Sequence, residues 1–539
     1  MYVLGISRAH DSAAALVRDG EIVAFAEEER FTRVRHDGRF PRRAVAYCLE
    51  QAGIGLDEVD QVAVHGQRAG SRPGWEIKEA AGHTGPVGYG VHLVEHHRAY
   101  AAGAFYASPF DSAAVLTMDG TGTCLAVADG VRIRHLRHVG DPHSLGALYA
   151  AVTGYLGFRP GLDEDKVMAL AAYGDDTYVQ PFADLLRLTP YGGHELDLSW
   201  FEPHADGGRH AVSAKFLDAF GPPGPPAGET LTQHSMDVAF ALQATLERAA
   251  LHLAGWLRET TGTTRLAVAG EAAMNPMLNG RLLTESGFEE LSAQPAAASL
   301  GAALEVSVGL YGRPRPAGGH VFAGPGFTEE RMEKALRDAG VDYRRPGDIA
   351  RHAAARIADG LIVGWFQGRA ECGPRGLGNR SLLADPRDPT STARMNERVR
   401  RREPFLPLAP SCLAERSGDY FAGGHPSPAM LLGFDVLDHR RGEVPAITHV
   451  DGSARVQTVS RAGNPSFHAL ITRFEELTGV PMLAGASFRD DDEPIVGTPE
   501  DAVACYLRTG ADALALGPFW ATKRWSGEPG LQEEEEEAR

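Results

Sequence analysis

Tyr2 to Ala26 reads YVLGISRAHDSAAALVRDGEIVAFA. Residues 2–6 form a short apolar run, and Ser7 to Ser12 a polar loop. Ala13 to Val17 is a second apolar run, Arg18-Asp19-Gly20 a tight turn, and Glu21 to Ala26 a third run. Apolar runs of this length joined by Asp-Gly predict a strand, a loop and then a two-stranded hairpin. Taken singly, Asp11 reads as a turn residue and His10 as a loop histidine.

A strand, a polar loop and a hairpin in this order resemble the opening of actin-like ATPase and sugar-kinase domains. In those folds the first loop carries a carboxylate facing phosphates, and His10 and Asp11 occupy that loop here. Beyond it, Glu27 to His36 mixes charges densely, either as a solvated face or as the rim of a site. Arg42 to Ala52 has helical periodicity. Val91 to Phe105 (VHLVEHHRAYAAGAF) places His96 and Tyr100 four apart, on one helical face, with His97 pointing elsewhere. That spacing suits metal ligands, although a histidine there is equally a structural one. Ser112 to Met118 reads as a strand ending in Asp119-Gly120-Thr121-Gly122-Thr123, a carboxylate beside flexible backbone. In DEDKVMALAAYG the helix from Lys166 to Ala172 has acids at its N-terminus, which the dipole favours, and Lys166, which it does not. A long helix is expected from about Ser235 to Thr260. A strand at Leu266–Ala269 then feeds Gly270 to Asn275, a step able to touch a nucleotide.

The chain has 539 residues, 43% apolar and 23% charged, enough for two or more domains with their own cores. A net charge of −18 argues against general binding of nucleic acid. Five scattered cysteines without a CxxC pair fit a reducing cytoplasm, and the opening residues carry no secretion-signal pattern. No apolar run reaches membrane-spanning length, so no membrane partner is expected.

The second half centres on Trp365 to Ser381, WFQGRAECGPRGLGNRS. The run Leu361 to Phe366 reads as a buried strand leading into it. Arg369, Arg375 and Arg380 with four glycines make either an anion-binding loop or a surface turn of solvated arginines. Further arginines at 398–402 and at 455 favour an anionic ligand. The Pro- and Gly-rich segment Tyr311 to Phe327 places a domain boundary.

Several separated motifs together resemble the NodU/CmcH-type carbamoyltransferase family. They are HDS with EERFTR, HHxA, MDGTG, KVM-LAAYG, GR-E-GPR-LGNRS, RVQTV and EPIV-TPEDA, between residue 2 and about 519. The resemblance implies an α/β chain. It implies an N-terminal actin/sugar-kinase-like (ASKHA) two-lobed domain (1–320) for carbamoyl transfer, a C-terminal α/β YrdC-like domain (321–525) for making carbamoyl-adenylate, and an acidic tail (526–539). ATP, with Mg, and carbamoyl phosphate are the implied co-substrates. His10 and Asp11 are the implied catalytic residues, His10 as base. Arg35, Lys166, Asn275, Arg369, Glu371, Arg375, Arg380, Arg400, Arg402, Arg455 and Ser487 are the implied substrate and nucleotide contacts. His96, Asp119 and Tyr100 are implied to hold Fe(II) or another divalent metal. Tyr100 stands where the family has histidine, and Pro295 to Ala303 (PAAASLGAA) lacks the family's aspartate. Glu271 replaces a glycine, Arg400 a lysine, Leu406 an arginine and Gly485 an asparagine of the family pattern. The expected reaction is ATP-dependent O-carbamoylation of a small hydroxylated natural product by a cytoplasmic monomer or homodimer. Metal-free transfer to another acceptor such as an amine, or a nucleotide-binding partner subunit, are the alternative readings.

Overall fold

The computed structural model describes residues 1–8, 11–66, 73–202, 211–225, 229–295, 298–317, 321–490 and 492–523. His10 and the acidic tail lie outside the described residues. The opening stretch folds as its pattern predicts. β1 (Tyr2–Ser7), β2 (Ala13–Arg18) and β3 (Glu21–Glu27) pair antiparallel in succession. β4 (Gln61–His65) and β5 (Gly90–Val94) join in parallel on the other side of β1, giving the order β3-β2-β1-β4-β5.

The same plan then repeats. β6 (Ser112–Asp119), β7 (Gly122–Asp129) and β8 (Arg132–Gly140) are antiparallel neighbours. Two small hairpins intervene, β9 (Leu186–Thr189) with β10 (Gly193–Leu196) and β11 (Phe201–Glu202) with β12 (Ala211–Val212). β13 (Arg265–Ala269) and β14 (Glu290–Ala293) complete the second sheet in parallel, in the order β14-β13-β6-β7-β8. One five-stranded order used twice is the two-lobed actin/sugar-kinase-like arrangement. It brings the hairpin turns β1–β2 and β6–β7 into corresponding positions.

Residue alternation explains how the first sheet is covered. Leu4, Ile6, Ala14 and Leu16 pack with Ala44, Val45 and Cys48 of the helix Arg42–Ala52. Val3, Ala13, Ala15 and Val17 pack instead with the helix Ala298–Leu304. That helix comes very close on both sides. A Cβ on Gly5 would lie 2.0 Å from the Ser299 carbonyl oxygen, and one on Gly301 would lie 2.0 Å from that of Ala99. The run SLGAA is therefore a thin wedge between β1 and the helix His96–Tyr106.

The later residues build a nine-stranded mixed sheet. Its strands are β15 (Tyr343–Arg344), β16 (Val363–Phe366), β17 (Arg380–Ala384), β18 (Ala409–Leu413), β19 (Leu432–Asp435), β20 (Ser453–Val459), β21 (Met482–Ser487), β22 (Ala513–Leu516) and β23 (Phe519–Thr522). They run in the order β15-β23-β22-β16-β17-β21-β18-β20-β19. The helices Ile349–Ala358, Pro465–Thr478 and Pro499–Arg508 share its core through Ala353, Ile357, Leu470, Phe474, Ala502 and Tyr506.

Gly301→Ala is expected to lower stability by about 1–3 kcal/mol, because backbone rather than a movable side chain occupies the space. A fall in the thermal midpoint, measured by circular dichroism, checks this.

Candidate active site

Asp119 ends β6, and its turn fixes the carboxylate. Oδ1 accepts from the Thr121 amide (2.7 Å), the Thr121 hydroxyl (2.7 Å) and the Gly122 amide (3.2 Å). Oδ2 is left for His96 Nε2, 2.5 Å away. His96 opens a helix whose N-cap, Glu95, accepts from the His97 and Arg98 amides at 3.0 and 2.8 Å. Behind it, His96 Nδ1 lies 3.0 Å from His65 Nε2, and His65 Nδ1 lies 3.2 Å from Ser7 Oγ. The ends of β6, β4 and β1 thus contribute to one hydrogen-bonded chain, Asp119–His96–His65–Ser7.

The expectation for His97 is corrected. It does not point away, because the helix N-terminus sits on the end of β6. Residues 100° apart on the first turn flank the same strand. His97 Nδ1 meets Thr117 Oγ1 at 2.9 Å, and ligand atoms of His96, His97 and Asp119 all lie within 4.8 Å of one another. Two imidazoles and a carboxylate are a donor set that fits a divalent first-row metal. Tyr100 is corrected as well. Its ring packs edge-on against His96, with centroids 4.9 Å apart. Burial, and then the charges of Glu271, Asp119 and Asp11, hold its phenol well above its ordinary value in the metal-free protein.

Burial would raise the Asp119 carboxyl, but the hydrogen bond and charge of His96 hold it down at about 2. Burial would lower His96, and the bond to Asp119 raises it instead. His65 and His97 are pushed down to about 4 by burial and stay neutral. Glu271, at the end of β13, adds negative charge to His96 and Tyr100. Asp11 Oδ1 lies 2.7 Å from His36 Nδ1 in the β1–β2 loop region. Arg35 is half-buried.

Two expected nucleotide contacts serve as structure. Asn275 Oδ1 caps the helix Pro276–Glu285 at the Leu278 amide (3.0 Å), and Nδ2 donates to Gln243 (2.9 Å). Lys166 is buried and donates to Glu403 at 2.7 Å, which resolves its unfavourable position at a helix start.

The arginine loop divides into two kinds of residue. Arg380 is fully buried over the Phe366 ring, 3.6 Å from its centroid. Its guanidinium donates to the carbonyls of Gln367, Asn379, Pro325 and Gly368. Arg369 donates to the carbonyls of Gly324, Val23 and Ala323. Glu371 Oε1 accepts from the amides of Leu377 (2.7 Å), Asn379 (2.8 Å) and Arg380 (2.8 Å). The expectation that these three line the anion site is corrected, since main-chain groups engage them and they shape the loop.

Arg375 behaves differently. With Arg455, Ser381, Ser411, Met430 and Ser487 it lines a small pocket. Its guanidinium reaches the carbonyls of Met430 and Met274. Burial, and then Arg455, push its pKa well below the ordinary value; burial lowers Arg455 likewise, opposed by Asp165. Among the described residues Arg455 Nε has no hydrogen-bond partner. Ser487 Oγ accepts from the Gly376 amide (3.0 Å), and its carbonyl accepts from Arg400 (3.0 Å). Arg402 donates to Asn396 Oδ1 at 2.7 Å and so braces the preceding turn. A second pocket is bounded by Tyr100, Ala104 and Leu300 on one side and by Val321 and Cys372 on the other.

A family profile described as "Carbamoyltransferase N-terminus" matches residues 2–71 and 87–308, and one described as "Carbamoyltransferase C-terminus" matches 354–523. The chain belongs to the carbamoyltransferase family. An uncharacterized protein of Synechocystis sp. is 38% identical to this carbamoyltransferase, covering 97% of each chain. The nodulation protein NolNO of Sinorhizobium fredii is 37% identical, covering 96% of this chain and 79% of its own. Among solved structures, an activator of 2-hydroxyisocaproyl-CoA dehydratase from Clostridium difficile is similar over 57% of this chain and 94% of its own, with 12% identity and a TM-score of 0.32. A ROK hexokinase from Thermus thermophilus is similar over 56% and 98%, with 17% identity and a TM-score of 0.28. Among the described residues, no helix of the carbamoyltransferase is long and apolar enough to cross a membrane.

His194 and His352, like His65 and His97, are pushed down to about 4 by burial. The unfolded chain takes up these protons near pH 6.5, and the folded one does not until about pH 4. Stability therefore falls as pH drops through that window, by on the order of 2 kcal/mol per histidine. His96, being raised, opposes this by one group. Denaturation midpoints of metal-free protein between pH 7 and pH 4 check the sign.

Proposed function

We propose that the chain is an ATP-dependent O-carbamoyltransferase for a small hydroxylated acceptor. Residues 1–320 form the transfer half and 321–525 the activating, YrdC-like half. One observation carries this reading: Arg375 and Arg455 stand together in a pocket, both half-buried, each with its pKa lowered by burial and that of Arg375 further by its neighbour. Two neighbouring half-buried cations favour an anion between them.

Carbamoyl phosphate gives its phosphoryl group to water and leaves carbamate. A carbamate oxygen attacks the α-phosphorus of ATP, bound with Mg, and pyrophosphate departs. The acceptor oxygen then attacks the carbamoyl carbon, its proton goes to a base, and AMP leaves. His10, beside Asp11 in sequence, is the proposed base. A divalent cation held by His96, His97 and Asp119 would supply Lewis-acid polarisation of the carbamoyl oxygen. His65 orients His96 through the Nδ1 hydrogen bond. A net charge of −18 supports a small acceptor in preference to nucleic acid.

Wild-type protein is expected to release pyrophosphate from ATP only when carbamoyl phosphate is added. Arg455→Met, which keeps bulk without charge, is expected to reduce that release about 100-fold or more. Absence of any response to carbamoyl phosphate in the wild type would mean the cavity binds something else. Protein purified without chelator is expected to carry about one divalent metal per chain, and His96→Ala and His97→Ala to lose it. If no metal binds and transfer survives chelation, the Lewis-acid role is wrong and metal-free transfer stands.

A further inference from the structure

Glu27 to Arg33 (EEERFTR) carries dense charge that the chemistry above does not use. Its side chains are not a solvated face. Glu27 and Arg30 are 8% and 2% exposed, at the end of β3 and in the helical turn after it. Both reach across to one residue of the arginine loop, Gly373. Glu27 Oε1 accepts from the Gly373 amide at 2.7 Å, and the Arg30 guanidinium donates to the Gly373 carbonyl at 2.5 Å. The two grips are themselves paired, with Arg30 Nε 3.5 Å from Glu27 Oε2. Arg33, three residues on, donates to the carbonyls of Pro494 (2.7 Å) and Ile495 (2.6 Å), so the EERFTR and EPIV motifs also meet.

Gly373 has φ +91°, a conformation glycine adopts at little cost, and a Cβ there would stand 3.0 Å from Pro295 Cβ. Pro374 follows with its ring-fixed φ, and then Arg375 enters the anion cavity. The Arg375 guanidinium is held by two neutral carbonyls, Met274 and Met430, and among the described residues it has no ion pair with a carboxylate, Asp165 acting on it only through its charge. Its placement therefore depends on where the Gly373 peptide is held. We infer that Glu27 and Arg30 are positioning residues for the anion cavity: they hold the amide and the carbonyl on either side of the Gly373 Cα, fix the direction from which Arg375 enters, and so set the affinity of the later half for its anionic substrate. The inference rests on the carbamate-activating reading of that cavity.

The test is pyrophosphate release from ATP by full-length variants, with carbamoyl phosphate titrated and folding followed by circular dichroism. Glu27→Ala and Arg30→Lys are expected to raise KM for carbamoyl phosphate about tenfold or more, with kcat changed less than about threefold. Glu27→Gln keeps an oxygen acceptor for the Gly373 amide and is expected to stay within about threefold of wild type in KM. Arg187→Ala, which breaks an exposed pair with Glu195, is the control and leaves both constants unchanged. Folded variants with wild-type KM overturn the inference. So does a loss of kcat that merely follows the folded fraction. If Glu27→Ala does not fold, Arg30→Lys decides, since lysine keeps the charge beside Glu27 and loses the planar fork. Wild-type protein that ignores carbamoyl phosphate overturns the reading of the cavity itself, and this inference with it.

Discussion

Much of the molecule depends on three amide hydrogen bonds to one carboxylate oxygen, that of Glu371. They fold the loop between β16 and β17 back on itself, so that the amides of Leu377, Asn379 and Arg380 converge on a buried charge. Arg380, buried beneath the same loop, offsets that charge at short range. Breaking such a buried arrangement from one side leaves an uncompensated charge, typically at about 3–5 kcal/mol. The loop is consequently a rigid frame. Its rigidity lets Arg375 stand unpaired with any carboxylate in a cavity, where a mobile side chain would turn toward water or toward Asp165.

The parts of this fold legible in the sequence are those set by local pattern. β1, β2 and β3, the helix Arg42–Ala52 and the long helix Gln233–Thr261 fall where periodicity and turn residues place them. The repeated sheet order is not local. It arises when β4 and β13 each add in parallel beside a first strand distant in sequence, and no short window carries that pairing. The resemblance to a family supplied it instead.

At the sites, composition identified the loop but not the role of each arginine. Arg375 and Arg380 are five residues apart in one glycine-rich run, yet one faces a cavity and the other four carbonyls. The difference lies in carbonyls contributed from Pro325 to Asn379, which spacing does not reveal. His97 was misplaced for a related reason. A helical wheel separates it from His96 by 100°, but the first turn of a helix seated on a strand end presents both residues to that end. His65 gave no signal beyond a histidine ending an apolar strand.

The departures at the transfer site have a common electrostatic logic. The SLGAA wedge packs its backbone against Gly5 and Ala99, leaving no room for a side chain at Gly301. Negative charge enters from Glu271 on the opposite lobe. Asp119 and Glu271 then face three imidazoles, of which burial keeps His65 and His97 neutral. The raised His96 is the group on which that negative field concentrates, and its Nε2 is the atom nearest Asp119. A proton and a divalent cation would compete for that same nitrogen. Tyr100 stands where the family pattern has a histidine, while His97, adjacent in sequence to His96, brings a ligand atom within 4.8 Å of those of His96 and Asp119.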